Sequence, residues 1–84
     1  MFDDHAIRTA AREVVSEIIG RSIGDNQPLI SSGLIDSLSV LKLIGKLEVK
    51  LQIEIPTDGL QPDDFDDIEL IVDTLRRVAK SAAV

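Results

Sequence analysis

The chain has 84 residues, a net charge of −6 and no cysteine. This length suits a single domain over residues 1–84 with a modest core. The acidic charge argues against nucleic-acid binding, and the lack of cysteine excludes disulfides and any thiol supplied by the chain itself.

The N-terminal residues favour a protein that is neither exported nor inserted in a membrane. Segment 1–5 contains acids and lacks the positive region that opens a signal peptide. No apolar stretch approaches the roughly 18 residues that a membrane-spanning helix requires. We therefore expect a monomeric, cytoplasmic protein.

The first predicted helix runs from about Asp4 to Ile19, with Asp3 or Asp4 as its N-cap and Gly20 after its end. Its apolar residues recur at steps of three and four and therefore share one face. They are Ile7, Ala10, Ala11, Val14, Val15 and Ile18.

A long connection over residues 20–35 follows, interrupted by glycine, asparagine and proline. Connections of this length in compact domains are usually functional or disordered. Its apolar side chains predict that it packs back onto the helices. These side chains are Leu29, Ile30, Leu34 and Ile35.

The second predicted helix begins after an N-cap at Asp36 and runs to about Leu51. Its apolar residues cover more than one stripe, which predicts the most buried helix of the protein. Gly45 in its middle either permits close packing or leaves room for a ligand. The apolar residues are Leu38, Val40, Leu41, Leu43, Ile44, Leu47 and Leu51, and the remaining face carries Lys42, Lys46 and Lys50.

The last third of the chain predicts one short and one long helix. Segment 52–55 alternates like a strand but has no evident partner, so we expect a loop there. Pro62 suits the first turn of a short helix through Phe65, and a final helix runs from about Asp67 to Ala82. The sum is an all-α fold: an antiparallel four-helix bundle with three main helices and one short third helix.

Conventional catalytic and metal sites are not indicated. His5 is the only histidine and lies near the N-terminus, so triads built on histidine and zinc sites with nitrogen or sulfur ligands are excluded. The acidic run 63–69 lacks the glycine of a calcium loop, and we expect it to form a solvated face at helix starts.

One segment remains as a candidate site. Residues 31–38 form a glycine-containing turn that delivers Ser37 to the first turn of a helix. The free N–H groups and positive end of that helix favour a phosphate on the serine hydroxyl. The Asp36 carboxylate can help hold a metal ion used by a modifying enzyme. On the tripeptide Asp36-Ser37-Leu38 alone, an ordinary helix capped by aspartate is the better explanation.

The wider context resembles acyl carrier proteins. Leu34 to Leu38, with the apolar residues and Glu48 that follow, is similar to the family's modification site and second helix. Ile53 to Pro56 follows Ser37 at the distance expected in that family. Leu60 to Leu75 looks like the family's short third helix leading into its fourth. The resemblance covers nearly the whole chain.

The resemblance implies a covalent 4′-phosphopantetheine on Ser37, added by a phosphopantetheinyl transferase, with cargo held as a thioester on the terminal sulfur. Asp36 would aid that modification. The protein would be a carrier with no catalytic activity, serving loading ligases and acyl-transferring enzymes. The partner-binding surface would contain Leu38, Leu41, Lys42 and Lys46, and a short cargo chain would shelter between the second and last helices near Ile44 and Leu47.

The charge of the second helix departs from many fatty-acid carriers. Ser39 and Lys42 stand where acids are common in those proteins, which indicates a specialised carrier with its own partners. The first interpretation is an acyl carrier of fatty-acid, polyketide or specialised lipid biosynthesis. The alternatives are a D-alanyl, other aminoacyl or peptidyl carrier loaded by an adenylating ligase, and a helical interaction module without a prosthetic group.

Overall fold

The computed structural model describes residues 3–81 and is dominated by helices. It contains three α-helices, one four-residue 3₁₀ helix and two very short strands. In chain order the elements are α1 (Asp4–Ile19), α2 (Ser37–Leu51), β1 (Ile53–Glu54), the 3₁₀ helix (Pro62–Phe65), α3 (Ile68–Val78) and β2 (Lys80–Ser81).

The packing places α1 at the centre of the helical arrangement. It contacts both α2 and α3, and the 3₁₀ helix also contacts α2 and α3. The all-helical class predicted from the sequence is confirmed. The predicted short third helix is a single 3₁₀ turn, so three α-helices rather than four supply the main packing surfaces.

Side-chain caps begin each α-helix. Asp3, rather than Asp4, caps α1: its Oδ1 accepts a hydrogen bond from the Ala6 N–H at 2.7 Å. Asp67 caps α3 in the same way through the Leu70 N–H, at 2.7 Å. Such bonds satisfy N–H groups that have no partner within the helix, which is why the helices begin where they do.

Within residues 3–81, the core consists of aliphatic residues and one aromatic residue, Phe65. Phe65 is 1% exposed and lies among buried residues of all three α-helices and of the connection between α1 and α2. The expectation that α2 is the most buried helix is wrong: five of its 15 residues are buried, against five of the 11 residues of α3. The apolar residues of α2 point in two directions. Leu38 and Leu41 are 77% and 62% exposed, while Leu43 and Leu47 are fully buried.

Residues 53 and 54 form a strand, which corrects the expectation of a loop. Ile53 and Glu54 pair antiparallel with Ser81 and Lys80, respectively. The partner strand exists because α3 ends at Val78, earlier than its apolar pattern predicted. Ala82, the predicted end of that helix, lies outside the described residues.

Gly45 lies on the exposed surface of α2 and does not mediate close packing. Apart from its chain neighbours and the backbone of its own helix, a Cβ placed at this position would meet no atom within 4 Å. Of the two roles predicted for Gly45, close packing is therefore wrong. Within the described residues, no helix is long and apolar enough to cross a membrane.

Candidate functional site

Ser37 is the first residue of α2 and is exposed. Asp36 is the N-cap of the helix, as predicted, and its Oδ1 accepts a hydrogen bond from the Ser39 N–H at 2.8 Å. This backbone bond, followed by a side-chain bond with Ser39, lowers the pKa of Asp36. The hydroxyl of Ser37 therefore stands beside a carboxylate that is ionised at neutral pH, at the positive end of a 15-residue helix.

An ordered turn delivers the serine to this position. Leu29 and Ile35 are buried, and the Ile35 N–H donates to the Leu29 carbonyl at 3.0 Å. Gly33 closes the turn with a φ of 83°, in the left-handed region that glycine occupies without strain. The predicted packing of the connection onto the helices is confirmed.

A carboxylate from the distant acidic run holds the same turn. Oδ1 of Asp66 lies 3.2, 2.7 and 2.9 Å from the backbone nitrogens of Leu29, Ile30 and Ser31. The Ser31 hydroxyl donates to the other oxygen at 3.0 Å. The Ser31 backbone N–H is the largest cause that lowers the Asp66 pKa.

The expectation that residues 63–69 form a solvated acidic face is therefore wrong for several of them. Asp66 binds the turn, Asp67 caps α3, and Asp64 accepts a hydrogen bond from the Gln61 N–H at 2.9 Å. These carboxylates face backbone N–H groups. Sequence spacing alone does not show this, since the N–H groups that meet Asp66 come from residues more than 30 positions earlier.

The first half of the connection is held by charge. Asp25 lies 3.0 Å from Arg8 and accepts two hydrogen bonds from Arg12, at 2.7 and 2.8 Å. The Arg12 bond is the largest cause that lowers the Asp25 pKa. Arg8 also pairs with Glu69 at the start of α3, so this cluster joins α1, the connection and α3.

A small apolar cleft opens beside Ser37. It has a volume of about 170 Å³ and lies between the start of α2 and the segment that contains the 3₁₀ helix. Ile44 lines the cleft as expected, but Leu47 is fully buried, and the opposite wall is residues 57–65 rather than the last helix. The remaining apolar lining comes from Val40, Leu41, Leu60, Pro62 and Phe65.

The outer face of α2 combines exposed apolar side chains with lysines. Leu38 and Leu41 lie within one turn of Ser37, and Lys42 follows, without an ion pair among the described residues. Lys46 lies 3.7 Å from Glu17, and Lys50 lies 2.7 Å from Glu13. Two of the three lysines on this helix are thus directed toward carboxylates of α1.

The described residues hold no other candidate centre. No group of three or more histidine, cysteine, aspartate or glutamate side chains within residues 3–81 is placed to hold a metal ion. His5 is exposed in the first turn of α1, with no described role. What remains within residues 3–81 is an exposed serine hydroxyl beside a small cleft, the arrangement expected of a carrier-type helical domain.

Comparison with known proteins agrees with this class. A family model described as "Phosphopantetheine attachment site" matches residues 9–75, which is most of the chain. The chain therefore belongs to the phosphopantetheine-binding carrier family, whose cofactor is a covalently attached 4′-phosphopantetheine.

One similar protein is a D-alanyl carrier protein from Leuconostoc citreum (strain KM20). It is 32% identical over 62 residues, which cover 71% of this chain and 80% of the relative. The matched part includes the larger portion of both proteins.

Proposed function

We propose that Ser37 carries the 4′-phosphopantetheine arm and that the protein is an aminoacyl carrier of the D-alanyl type. The observation that carries the proposal is the exposed Ser37 hydroxyl at the capped start of α2. No other serine or threonine in the region matched by the family model begins an α-helix of the described chain.

The residues around Ser37 fit a phosphodiester. The first N–H groups of α2 have no partner within the helix and favour a negative group at its start. The Ser37 Oγ would displace 3′,5′-ADP from coenzyme A, forming a phosphodiester and giving its proton to a base of the transferase. Oδ1 of Asp36 accepts the hydrogen bond from the Ser39 N–H. Because Asp36 is exposed, its other oxygen can bind a metal ion held by that enzyme.

The protein's own contribution is to present the arm. When bound, the arm supplies a terminal thiol that holds cargo as a thioester, which this cysteine-free chain cannot provide. The chain has no catalytic activity of its own in this proposal. It acts as a monomer in the cytoplasm and meets a phosphopantetheinyl transferase, an adenylating ligase and enzymes that receive the cargo.

Aminoacyl cargo is supported by the named relative and by the basic outer face of α2, where many fatty-acid carriers are acidic. The cleft supports a second candidate, a short acyl group. Its volume of about 170 Å³ equals that of roughly six water molecules in the liquid. That space is small compared with a long fatty chain.

Partners would dock on the exposed strip beside Ser37. Leu38 and Leu41 supply apolar area, and Lys42 supplies a charge that no described carboxylate neutralises. Lys46 contributes less, because Glu17 lies beside it. The complementary partner surface is apolar with an acidic rim, and association should slow as salt rises.

The attachment is tested by intact mass after incubation with coenzyme A and a transferase shown to be active on another carrier. We expect a gain of one phosphopantetheine in the wild type and none in Ser37→Ala. Ser32→Ala is the control for the loss of a hydroxyl in the same turn, where Ser32 is exposed and donates to the Pro28 carbonyl at 2.6 Å. A helical interaction module without a prosthetic group would show no gain in any variant.

The cargo is tested on the modified protein. An adenylating ligase for D-alanine should load it, whereas acyl-loading enzymes should transfer only short chains. Preferential loading with long acyl groups would reject the aminoacyl interpretation while leaving the role of Ser37 intact.

A further inference from the structure

We infer that Asp66 is a positioning residue for the reaction at Ser37: its carboxylate sets the conformation of the turn that presents the hydroxyl. This inference rests on the proposed attachment at Ser37. The observation behind it is that one carboxylate accepts hydrogen bonds from three consecutive backbone N–H groups and from the Ser31 hydroxyl.

Two routes lead from Asp66 to Ser37. In the first, Asp66 holds residues 29–31, and the Leu29 carbonyl in turn accepts the Ile35 N–H at 3.0 Å, two residues before Ser37. In the second, Phe65 precedes Asp66 and lines the cleft that Ser37 also lines. The segment that contains Asp66 thus contacts the turn before Ser37 and also lines the cleft beside it.

The backbone of Asp66 makes the contribution of its carboxylate separable from the fold. The Leu29 N–H also donates to the Asp66 backbone carbonyl, at 2.6 Å, and this bond does not depend on the side chain. Truncation of Asp66 therefore leaves Leu29 anchored and removes the partner of the Ile30 and Ser31 N–H groups. Residues 30 and 31 lie inside the turn that the Ile35 N–H closes on the Leu29 carbonyl, so the Ile35 bond should open more often when they are released. A loosened turn lowers the fraction of molecules that present Ser37 correctly. The apparent affinity for the transferase falls in proportion to that fraction.

Three substitutions remove the contacts in steps. Ser31→Ala removes only the hydroxyl contact with the carboxylate. Asp66→Asn keeps an oxygen for the three backbone N–H groups but loses the charge, and Asp66→Ala removes all of these side-chain contacts. Ile71→Val is the matched control, because it trims a fully buried residue of α3 that makes none of these hydrogen bonds.

The first measurement is steady-state transfer of phosphopantetheine to each variant. We expect Asp66→Ala to lower kcat/KM by about tenfold through KM alone, with Asp66→Asn between it and the wild type. Ser31→Ala and Ile71→Val should stay within about twofold of the wild type. A wild-type kcat/KM in Asp66→Ala, or an equal loss in Ile71→Val, would overturn the inference.

The second measurement needs no modification of Ser37. Amide hydrogen exchange of Ile35 should be at least about tenfold faster in Asp66→Ala, while that of Leu47 changes only with global stability. Unchanged exchange at Ile35 would overturn the inference. A wild-type chain that takes up no phosphopantetheine would instead overturn the proposed function, and Ile35 exchange would then decide alone whether Asp66 sets the turn.

Discussion

The carboxylate of Glu48, near the end of α2, accepts a hydrogen bond from the backbone N–H of Ile55 at 2.9 Å. This bond holds the segment after α2 against the last turns of that helix. It also brings β1 to the position where it pairs with β2.

The Glu48 bond should contribute measurably to stability. Glu48→Ala leaves the partly buried Ile55 N–H without this partner, and we expect a loss of about 1–3 kcal/mol in the free energy of unfolding. Glu48→Gln keeps an acceptor and should lose less. Urea unfolding followed by circular dichroism measures both, and equal losses in the two variants would show that the hydrogen bond is not the cause.

The two faces of α2 should respond differently to truncation. Leu47 is fully buried and Val49 is 80% exposed, although they lie two residues apart. Leu47→Ala should therefore cost about 2–5 kcal/mol of unfolding free energy, and Val49→Ala should change it by less than about 0.5 kcal/mol. Chemical denaturation of the two variants decides this, and similar midpoints would contradict the described orientation of α2.

Two glycines should give opposite results when replaced by alanine. Gly45 lies in the interior of a helix, and the space that an alanine Cβ would occupy there is open, so Gly45→Ala should stabilise by about 1 kcal/mol. Gly33 has a φ of 83°, so Gly33→Ala should destabilise by about 1–2 kcal/mol. Thermal unfolding midpoints that move in the same direction would contradict the open helical position of Gly45 or the left-handed backbone of Gly33.

Acid should unfold the protein through particular carboxylates. The folded state lowers the pKa values of Asp25, Asp36 and Asp66. The stability they contribute is present above the unfolded aspartate pKa of about 3.9 and is lost as the pH falls through the lower folded values.

This acid sensitivity is measured by denaturant titrations between neutral pH and pH values below that of an unfolded aspartate. Asp66→Asn should flatten the acid side of the stability profile, because the carboxylate that must take up a proton is gone. Asp73→Asn is the control, since Asp73 is exposed and pairs only with Arg77, at 3.6 Å, among the described residues. An equal flattening in both variants would contradict a special role for Asp66.

Much of the fold follows from local sequence patterns. The start and end of α1, the cap at Asp36 and the short helix at Pro62 depend on residues within a few positions of each other. The pairing of β1 with β2 does not, because its partner lies beyond the whole of α3. The helical periodicity also predicted an end for α3 that is too late in the chain. Ala79 continues the apolar pattern, but its backbone is already in the extended conformation.

The site divides in the same way. The position of Ser37 at the start of α2 follows from the local motif, as does the capping by Asp36. The exposure of Leu38 and Leu41 depends on which side of α2 meets α1, and a broad apolar pattern leaves that open. The contact between Asp66 and residues 29–31 depends on tertiary structure alone, so composition suggested only a solvated acid.

The way the connection is held also decides where the chain tolerates foreign sequence. Asp25 ties its first half to α1, and Asp66 binds its second half, so neither half offers a free loop tip. The exposed turn at Asp58 and Gly59 is closed by one backbone bond, from the Leu60 N–H to the Thr57 carbonyl at 3.1 Å. An epitope tag or fluorescent reporter spliced into this turn should disturb the packing of the helices least. Because Thr57 and Leu60 on either side line the cleft, its effect will fall on the cleft rather than on the core.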